Sequence, residues 1–415
     1  MKKRLIPAVL LILTLLCLTA CGQKETAESE ETSPEPGTAE TAAQGMEDRP
    51  VSVDYLSVVP SGEHDVRILF LNVGKADAIL LKIDGEGWLI DTGTESAIPM
   101  LEAGMRILEL DSLRGIFITH TDNDHVGGME QFLSMFPVEG VYTSTISADW
   151  DKVERLRGDT PRTALDPGQV VEAGAGVWFE VFGPIRYNPR DDNNSLILKL
   201  RVNGASLLFC GDMMFDEEKT LMYAGMDLSC DLLKVGHHGE KDATSDSFLK
   251  EASPEIAVIC ANREEESDTA HKSILKALKK IGAETYITED TPVAFDATVA
   301  ADGEIRVEDV SVPDPASVRF VSVSKADQLA VIENTGDEPV DLTGWWIVSE
   351  TGGELFRFPD GLILGAGETL SVGTNHYNGE PDLRWDDTRV WHKSKEDRAV
   401  LIDPWGSQAD FMVSE

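Results

Sequence analysis

Between Ile118 and Gly128 the chain reads Ile-Thr-His-Thr-Asp-Asn-Asp-His-Val-Gly-Gly, which gathers His120, Asp122, Asp124 and His125 on one short stretch. Two further segments carry the same side chains: Asp212 in Cys210-Gly-Asp, and His237 and His238 in Gly236-His-His-Gly. Imidazole and carboxylate are the groups that hold divalent transition metals, and a hydrolytic centre needs several of them converging with positions left open for water. Two such ions ~3.5–4 Å apart, bridged by a carboxylate, supply a hydroxide nucleophile and clamp both oxygens of a displacement. A polar loop capping a helix would account for one His-Asp pair, but not for this many ligands on separate strand ends.

The elements that must position these residues are apolar runs. Strands are expected at Val66–Val73, Ala78–Ile83, Trp88–Gly93, Leu113–Ile118, Val177–Phe182, Leu196–Val202, Ser206–Cys210, Asp231–Val235, Ile256–Cys260 and, closing the series, Glu284–Thr288. Helical spacing is found at Pro99–Glu109, Val126–Phe136, Glu217–Tyr223 and Lys272–Ile281. Strands alternating with helices, with the reactive side chains at strand ends, describe an α/β domain over about 51–310. Alternation along an extended loop puts His120, Asp122 and Asp124 on one face and turns His125 to a neighbouring position.

After a Pro-rich linker, Val312 to Ala316, the pattern changes to short strands with Gly, Asn and Asp turns. They run Val318–Val323, Leu329–Glu333, Trp345–Ser349, Leu355–Phe358, Thr369–Gly373, Ala399–Asp403 and Phe411–Val413, and predict an all-β sandwich over 316–415. Of the pair Trp345-Trp346, alternation turns one indole inward.

Residues 1–21 begin with Lys2, Lys3 and Arg4, continue through an apolar run from Leu5 to Leu16, and end in Leu18-Thr-Ala-Cys21. This resembles a bacterial lipoprotein signal, which makes Cys21 the lipidated first residue and places the exported protein on the outer face of the cytoplasmic membrane. The apolar run is shorter than the ~20 residues that cross a bilayer. Residues 22–50, rich in Glu, Thr, Ala and Pro, cannot bury enough apolar surface to offset their ordering entropy and are expected to be a disordered acidic linker. Cys210, Cys230 and Cys260 lie in apolar runs and read as buried free thiols. The formal net charge of −38 over 415 residues argues against passive adhesion to nucleic acid, although a metal cluster can supply local positive charge.

The run His120-Thr-Asp-Asn-Asp-His125 followed by Val-Gly-Gly resembles the metallo-β-lactamase superfamily, whose usual loop is His-x-His-x-Asp-His; here Asp122 replaces the second histidine. That variant is similar to the branch of the ComEC-type competence proteins of DNA internalization. Leu71-Asn-Val-Gly-Lys-Ala-Asp-Ala78, Leu89-Ile-Asp-Thr-Gly93, Asn193-Asn-Ser-Leu196, Cys210-Gly-Asp212 and Asp231-Leu-Leu-Lys-Val-Gly-His-His-Gly239 resemble it as well. The resemblance implies an αββα sandwich holding one or two divalent ions, zinc or manganese. His120 and Asp122 would hold one ion, Asp124, His125 and His237 the other, with Asp212 bridging. Asp124, positioning the attacking water, and His238 are the candidate catalytic side chains; the alternative for His238 is a buried histidine hydrogen-bonded to backbone. No histidine lies between His125 and His237, and Asn194 and Ser195 take the place of the usual middle one.

Asp77 and Asp91 are expected to brace the loops beneath the metals. Thr244 and Ser245 can reach an anionic substrate or simply cap a helix, and His271 either contacts phosphate or starts a helix. The implied reaction is metal-assisted hydrolysis of a phosphodiester in extracellular DNA. The alternatives are a phosphoesterase acting on wall teichoic acid or phosphocholine, and a metal-poor surface-binding protein that uses its C-terminal domain. That domain resembles the lamin tail, an immunoglobulin-like sandwich, through Leu329-Ala-Val-Ile-Glu-Asn-Thr-Gly336, Val340-Asp-Leu-Thr-Gly-Trp-Trp346, Phe356-Arg-Phe-Pro359 and Leu364-Gly-Ala-Gly-Glu-Thr-Leu370. Its ligand is open between a surface group, DNA and polysaccharide.

Overall fold

The computed structural model describes residues 62–147 and 149–415. The expected signal, the lipidated Cys21 and the linker 22–50 lie outside them. Six strands, β1 (Val66–Leu71), β2 (Ile79–Ile83), β3 (Glu86–Ile90), β4 (Gly115–Ile118), β5 (Val141–Ser144) and β6 (Arg162–Leu165), open the first sheet. The next seven form a second: β7 (Val170–Gly174), β8 (Val177–Gly183), β9 (Ile197–Val202), β10 (Ala205–Phe209), β11 (Leu232–Lys234), β12 (Ile256–Ile259) and β13 (Glu284–Ile287). The chain then returns, and β14 (Ala294–Val299) and β15 (Ile305–Asp309) complete the first sheet in the order β15-β14-β1-β2-β3-β4-β5-β6.

Each sheet has an antiparallel half and a parallel half: β3 to β6 run parallel in the first, β10 to β13 in the second. The inner faces meet through alternating residues. Ile68, Phe70, Leu81, Trp88 and Phe117 of one sheet pack against Phe179, Leu198, Leu200, Leu207 and Val258 of the other. The Trp88 and Phe117 rings stack at 5.6 Å between centroids, and Phe179 meets Phe117 edge-on at 4.8 Å. Helices Ile98–Ile107 and Met129–Met135 cover the outer face of the first sheet; Phe215–Tyr223, Asp246–Ala252 and Lys272–Ile281 cover that of the second. This is the expected αββα sandwich.

The expected series of strands was incomplete. It closed at Glu284–Thr288, whereas β14 pairs with β1 in the interior of the first sheet. β5, β6 and β7 were also missed; they are short, and β6 and β7 carry only partly buried faces.

The C-terminal strands form two four-stranded sheets and a two-stranded one around a core that includes Phe320, Ile332, Trp345, Phe358 and Trp391, an immunoglobulin-like sandwich as expected. Trp345 is the inward indole. Trp346 does not face solvent: it is buried against the helix Ile98–Ile107 and donates its indole N–H to Glu102 Oε2 at 2.8 Å. Arg357 Nη2 meets Glu102 Oε1 at 2.7 Å, so the sandwich and the α/β layers share one buried carboxylate. Among the described residues no helix is long and apolar enough to cross a membrane.

Candidate metal centre

Four strands end at one crevice, at the carboxyl edge where parallel sheets bind ligands. β3 runs into Asp91, β4 into Thr119 and His120, β10 into Gly211 and Asp212, and β11 into Gly236 and His237. Gly211 must be glycine. It sits at φ +48, and a Cβ there would stand 2.9 Å from Thr119 Cβ and 3.0 Å from Ser195 Cβ.

The metal loop is not extended throughout. At Asn123 it turns into a single helical turn, Asn123–Val126, so Asp124 and His125 enter the crevice together while Asp122 stays at the rim, its side chain 56 % exposed. The expected alternation therefore fails one residue after Asp122.

Ligand atoms of Asp124, His125, Asp212 and His238 lie within 4.8 Å of one another, as do those of His120, Asp192 and Asp212. Asp212 is common to both groups, as expected of a bridging carboxylate: its Oδ2 is 3.1 Å from His125 Nε2, 3.2 Å from His238 Nε2 and 4.0 Å from His120 Nε2. All three Nε2 atoms are buried without a hydrogen-bond partner, and so is Asp212 Oδ1. Leaving such groups unpaired costs ~1–3 kcal/mol each. Buried imidazole nitrogens and carboxylate oxygens aimed at common points fit one or two divalent ions.

The opposite ring nitrogens fix this orientation. His125 Nδ1 lies 2.8 Å from Asp91 Oδ2, and Asp91 accepts from the Thr119 backbone N–H and hydroxyl at 2.7 Å each. His238 Nδ1 donates to the Cys260 carbonyl at 2.8 Å. Each bond leaves the Nε2 lone pair for a metal. Asp91 thus links His125 to Thr119. Asp77 braces from the other side, paired with the buried ammonium of Lys234 and 3.5 Å from His238 Nδ1. Ser195 Oγ accepts the Asp212 N–H at 3.0 Å and holds that carboxylate in place.

The electrostatics follow from the packing. Burial alone would lower the pKa of His238, but Asp212 and Asp124 push it up to about 9; His125, beside Asp212 and Asp91, is also held well above its usual value. Burial, then repulsion from His125, draws His120 down to about 3. Against its own desolvation, the Asp212 carboxyl is held well below the usual range by His125 and His238. Metal ions must displace protons from His125 and His238 to bind.

Several expected roles are corrected. His237 turns away: its Nδ1 lies 2.9 Å from Asp242 Oδ1, and its Nε2 is 3.7 Å from Glu240 and 3.9 Å from Asp192. Its neighbour His238, expected as a catalytic side chain, joins the group around Asp212, while His237 forms a separate possible metal group with Glu240 and Asp242. Asp122 reaches only 3.9 Å from His120 Nε2, and Asp192 takes the inner place. Asn194 points neither to metal nor to substrate; it clamps the preceding loop through Asn188 N at 2.7 Å and Asn188 O at 2.9 Å. Ser245 caps the helix Asp246–Ala252, accepting from Phe248 N, and Thr244 donates its backbone N–H to Glu218. His271 caps the helix Lys272–Ile281 through Ser273 N. Asp192 was missed, although it precedes Asn194 in the segment that stands where the middle histidine is absent. Lys75 was missed as well. Its ammonium donates to Asp124 Oδ2 at 3.2 Å.

Comparison with known proteins shows what the chain resembles. Residues 71–262 match the metallo-beta-lactamase superfamily, and residues 299–414 match the lamin tail domain. ComE operon protein 3 of Bacillus subtilis is 28% identical over 197 residues, 45% of this chain and 24% of that protein. Competence protein ComA of Neisseria gonorrhoeae is 31% identical over 205 residues, 47% of this chain and 27% of that protein. The chain thus spans about a quarter of the length of these relatives. The metallo-beta-lactamase fold protein YhfI of Bacillus subtilis superposes with a TM-score of 0.39 and 14% identity, over 59% of this chain and all of that one. The chain carries a metallo-β-lactamase superfamily domain with ComEC-like relatives, joined to a lamin tail domain.

Proposed function

We propose that this protein is a metal-dependent phosphodiesterase that cleaves extracellular nucleic acid while lipid-anchored through Cys21 to the outer face of the cytoplasmic membrane. The observation that carries the hydrolytic reading is the convergence on Asp212 of three buried imidazole nitrogens that complete no hydrogen bond. Nucleic acid as substrate is supported by a relative named for competence. The inner ligands offer three carboxylates and three imidazoles, a mixed oxygen and nitrogen set that accommodates manganese as well as zinc.

Bound divalent ions supply Lewis acidity and water of lowered pKa. The chain's own residues do the rest. Asp124 Oδ2, 3.5 Å from His238 Nε2 on a side chain 21% exposed, accepts a hydrogen bond from the attacking water and orients it. Asp91 and Cys260 hold the two imidazoles in the orientation that keeps Nε2 directed inward.

A second reading, a phosphoester of a wall polymer or of phosphocholine, is favoured by the carboxylates at the mouth, where Glu240 and Asp242 flank His237 and Glu266 stands 3.6 Å from Lys75. Such a rim repels a polyanion, DNA and teichoic acid alike, more than a zwitterion, so it favours phosphocholine. The test is a substrate screen with manganese or zinc, and with chelator. Degradation of DNA supports the first reading; release of choline or phosphate from wall polymers, with DNA untouched, replaces it by the second.

A further inference from the structure

We propose that Lys75 is the cationic anchor for a phosphoryl oxygen of the substrate, and so a specificity-determining residue of the metal centre; this rests on the phosphoester reading above. Lys75 stands on the turn between β1 and β2, and its ammonium touches Asp124 Oδ2, placing a positive charge against one of the candidate metal ligands. An ammonium has three donors. One is used on Asp124. Glu240 at 3.7 Å and Glu266 at 3.6 Å lie beyond hydrogen-bonding distance and act only as loose counter-charges. The side chain is 19% exposed, enough to face the crevice and too little to be bathed in solvent. An oxyanion seated between Lys75 and the metal positions therefore meets free donors at low solvation, where charge-assisted hydrogen bonds are strong.

The position is held before substrate arrives. Gly74, at φ +82, turns the chain so tightly against Glu265 that a Cβ would stand 2.6 Å from its carboxylate, and Glu265 Oε2 accepts the Lys75 backbone N–H at 2.9 Å. Asp77 N donates to Asp124 O at 3.1 Å, which ties the same turn to the metal loop. The other lysine of the site cannot serve. Lys234 is fully buried, paired with Asp77 and bonded to Gly211 O at 3.0 Å, so it neutralises the floor of the site.

The test is calorimetric binding of inorganic phosphate to the metal-loaded full chain, comparing wild type with Lys75→Met and Lys75→Arg, with metal content measured in each. We expect Lys75→Met to weaken phosphate binding at least tenfold at unchanged metal content, and Lys75→Arg to recover most of the affinity. Should methionine disturb the metal, Lys75→Gln, which keeps a donor for Asp124 without the charge, carries the comparison. Phosphate affinity within twofold of wild type in the neutral variants, or no phosphate binding by wild type, overturns the proposal. Phosphodiester hydrolysis measured alongside separates the two claims. Hydrolysis with no dependence on Lys75 removes the anchor and leaves the reading; phosphate binding that depends on Lys75, with no diester cleaved, removes the reading and leaves the anchor.

Discussion

His238 Nε2 lies 3.2 Å from Asp212 Oδ2, on the inner side of the crevice. The histidine immediately before it turns outward to Asp242. Loss of His238 therefore removes a nitrogen from the group around Asp212, and loss of His237 removes one from the separate group it forms with Glu240 and Asp242 at the mouth. His238→Ala should lower metal affinity and hydrolysis by more than the ~100-fold that marks the upper range for residues behind the ligands. His237→Ala should keep its metal and stay within about tenfold of wild type in activity, below that same range. The reverse ranking, by metal analysis and initial rates, would return the ligand role to His237.

Asp91 is buried beneath His125 and touches it at 2.8 Å. Asp91→Asn keeps the shape and loses the charge that orients the imidazole. Metal affinity, read by competition with a chromogenic chelator, should fall by ~10–100-fold. An unchanged affinity would show that backbone packing alone holds the ring.

Glu217 offers a pH signature away from the metal. Burial pushes its carboxyl up to about 8 from an ordinary value of 4.5, with one hydrogen bond, from Ile185 N at 2.8 Å, in partial opposition. The folded state holds this proton where the unfolded chain releases it. The group's contribution is thus full below pH 4.5 and is lost as pH rises through about 8. Relative to Glu217→Gln, wild type should lose stability steadily across that window in urea titrations. Parallel pH profiles for the two proteins would refute the assignment.

Glu102 ties the two domains together through the Trp346 indole and Arg357. Removing it leaves the buried Trp346 N–H without its acceptor and the Arg357 guanidinium with Asp360 alone. Hydrogen bonds to a charged group are worth ~1.5–3 kcal/mol, so Glu102→Ala should destabilise by about that much. It should also separate the unfolding of the sandwich from that of the α/β layers in calorimetry. A melt as sharp and as high as wild type's would mean that apolar contacts around Trp346 carry the junction alone.

Much of this was legible from residue patterns. Apolar runs ending in Asp or His located Asp91, His120, Asp212 and the pair at 237 and 238 on neighbouring strand ends, because a buried strand must alternate or be wholly apolar. The choice within the pair was not legible. His237 and His238 sit at φ +48 and +49 in a tight turn, where period-two alternation does not apply. Asp192 escaped for a related reason: it lies in the irregular turn Asp191–Asn194, among polar neighbours with no periodic signal. β14 was legible but overlooked, since Phe295, Ala297 and Val299 alternate inward. Trp346 shows a limit of a different kind. Alternation turned one indole of the pair inward without saying which, and the helix that covers the face of the other begins at Ile98, far away in sequence.

The most direct measurement is the metal content of the purified chain and of its Asp212→Ala variant after exposure to zinc or manganese, by elemental mass spectrometry. The account predicts one or two equivalents of divalent ion in wild type. It also predicts their loss in Asp212→Ala, with an unchanged circular dichroism spectrum and no hydrolysis. A wild-type protein that takes up neither ion, or an Asp212→Ala variant that keeps both metal and activity, would contradict it.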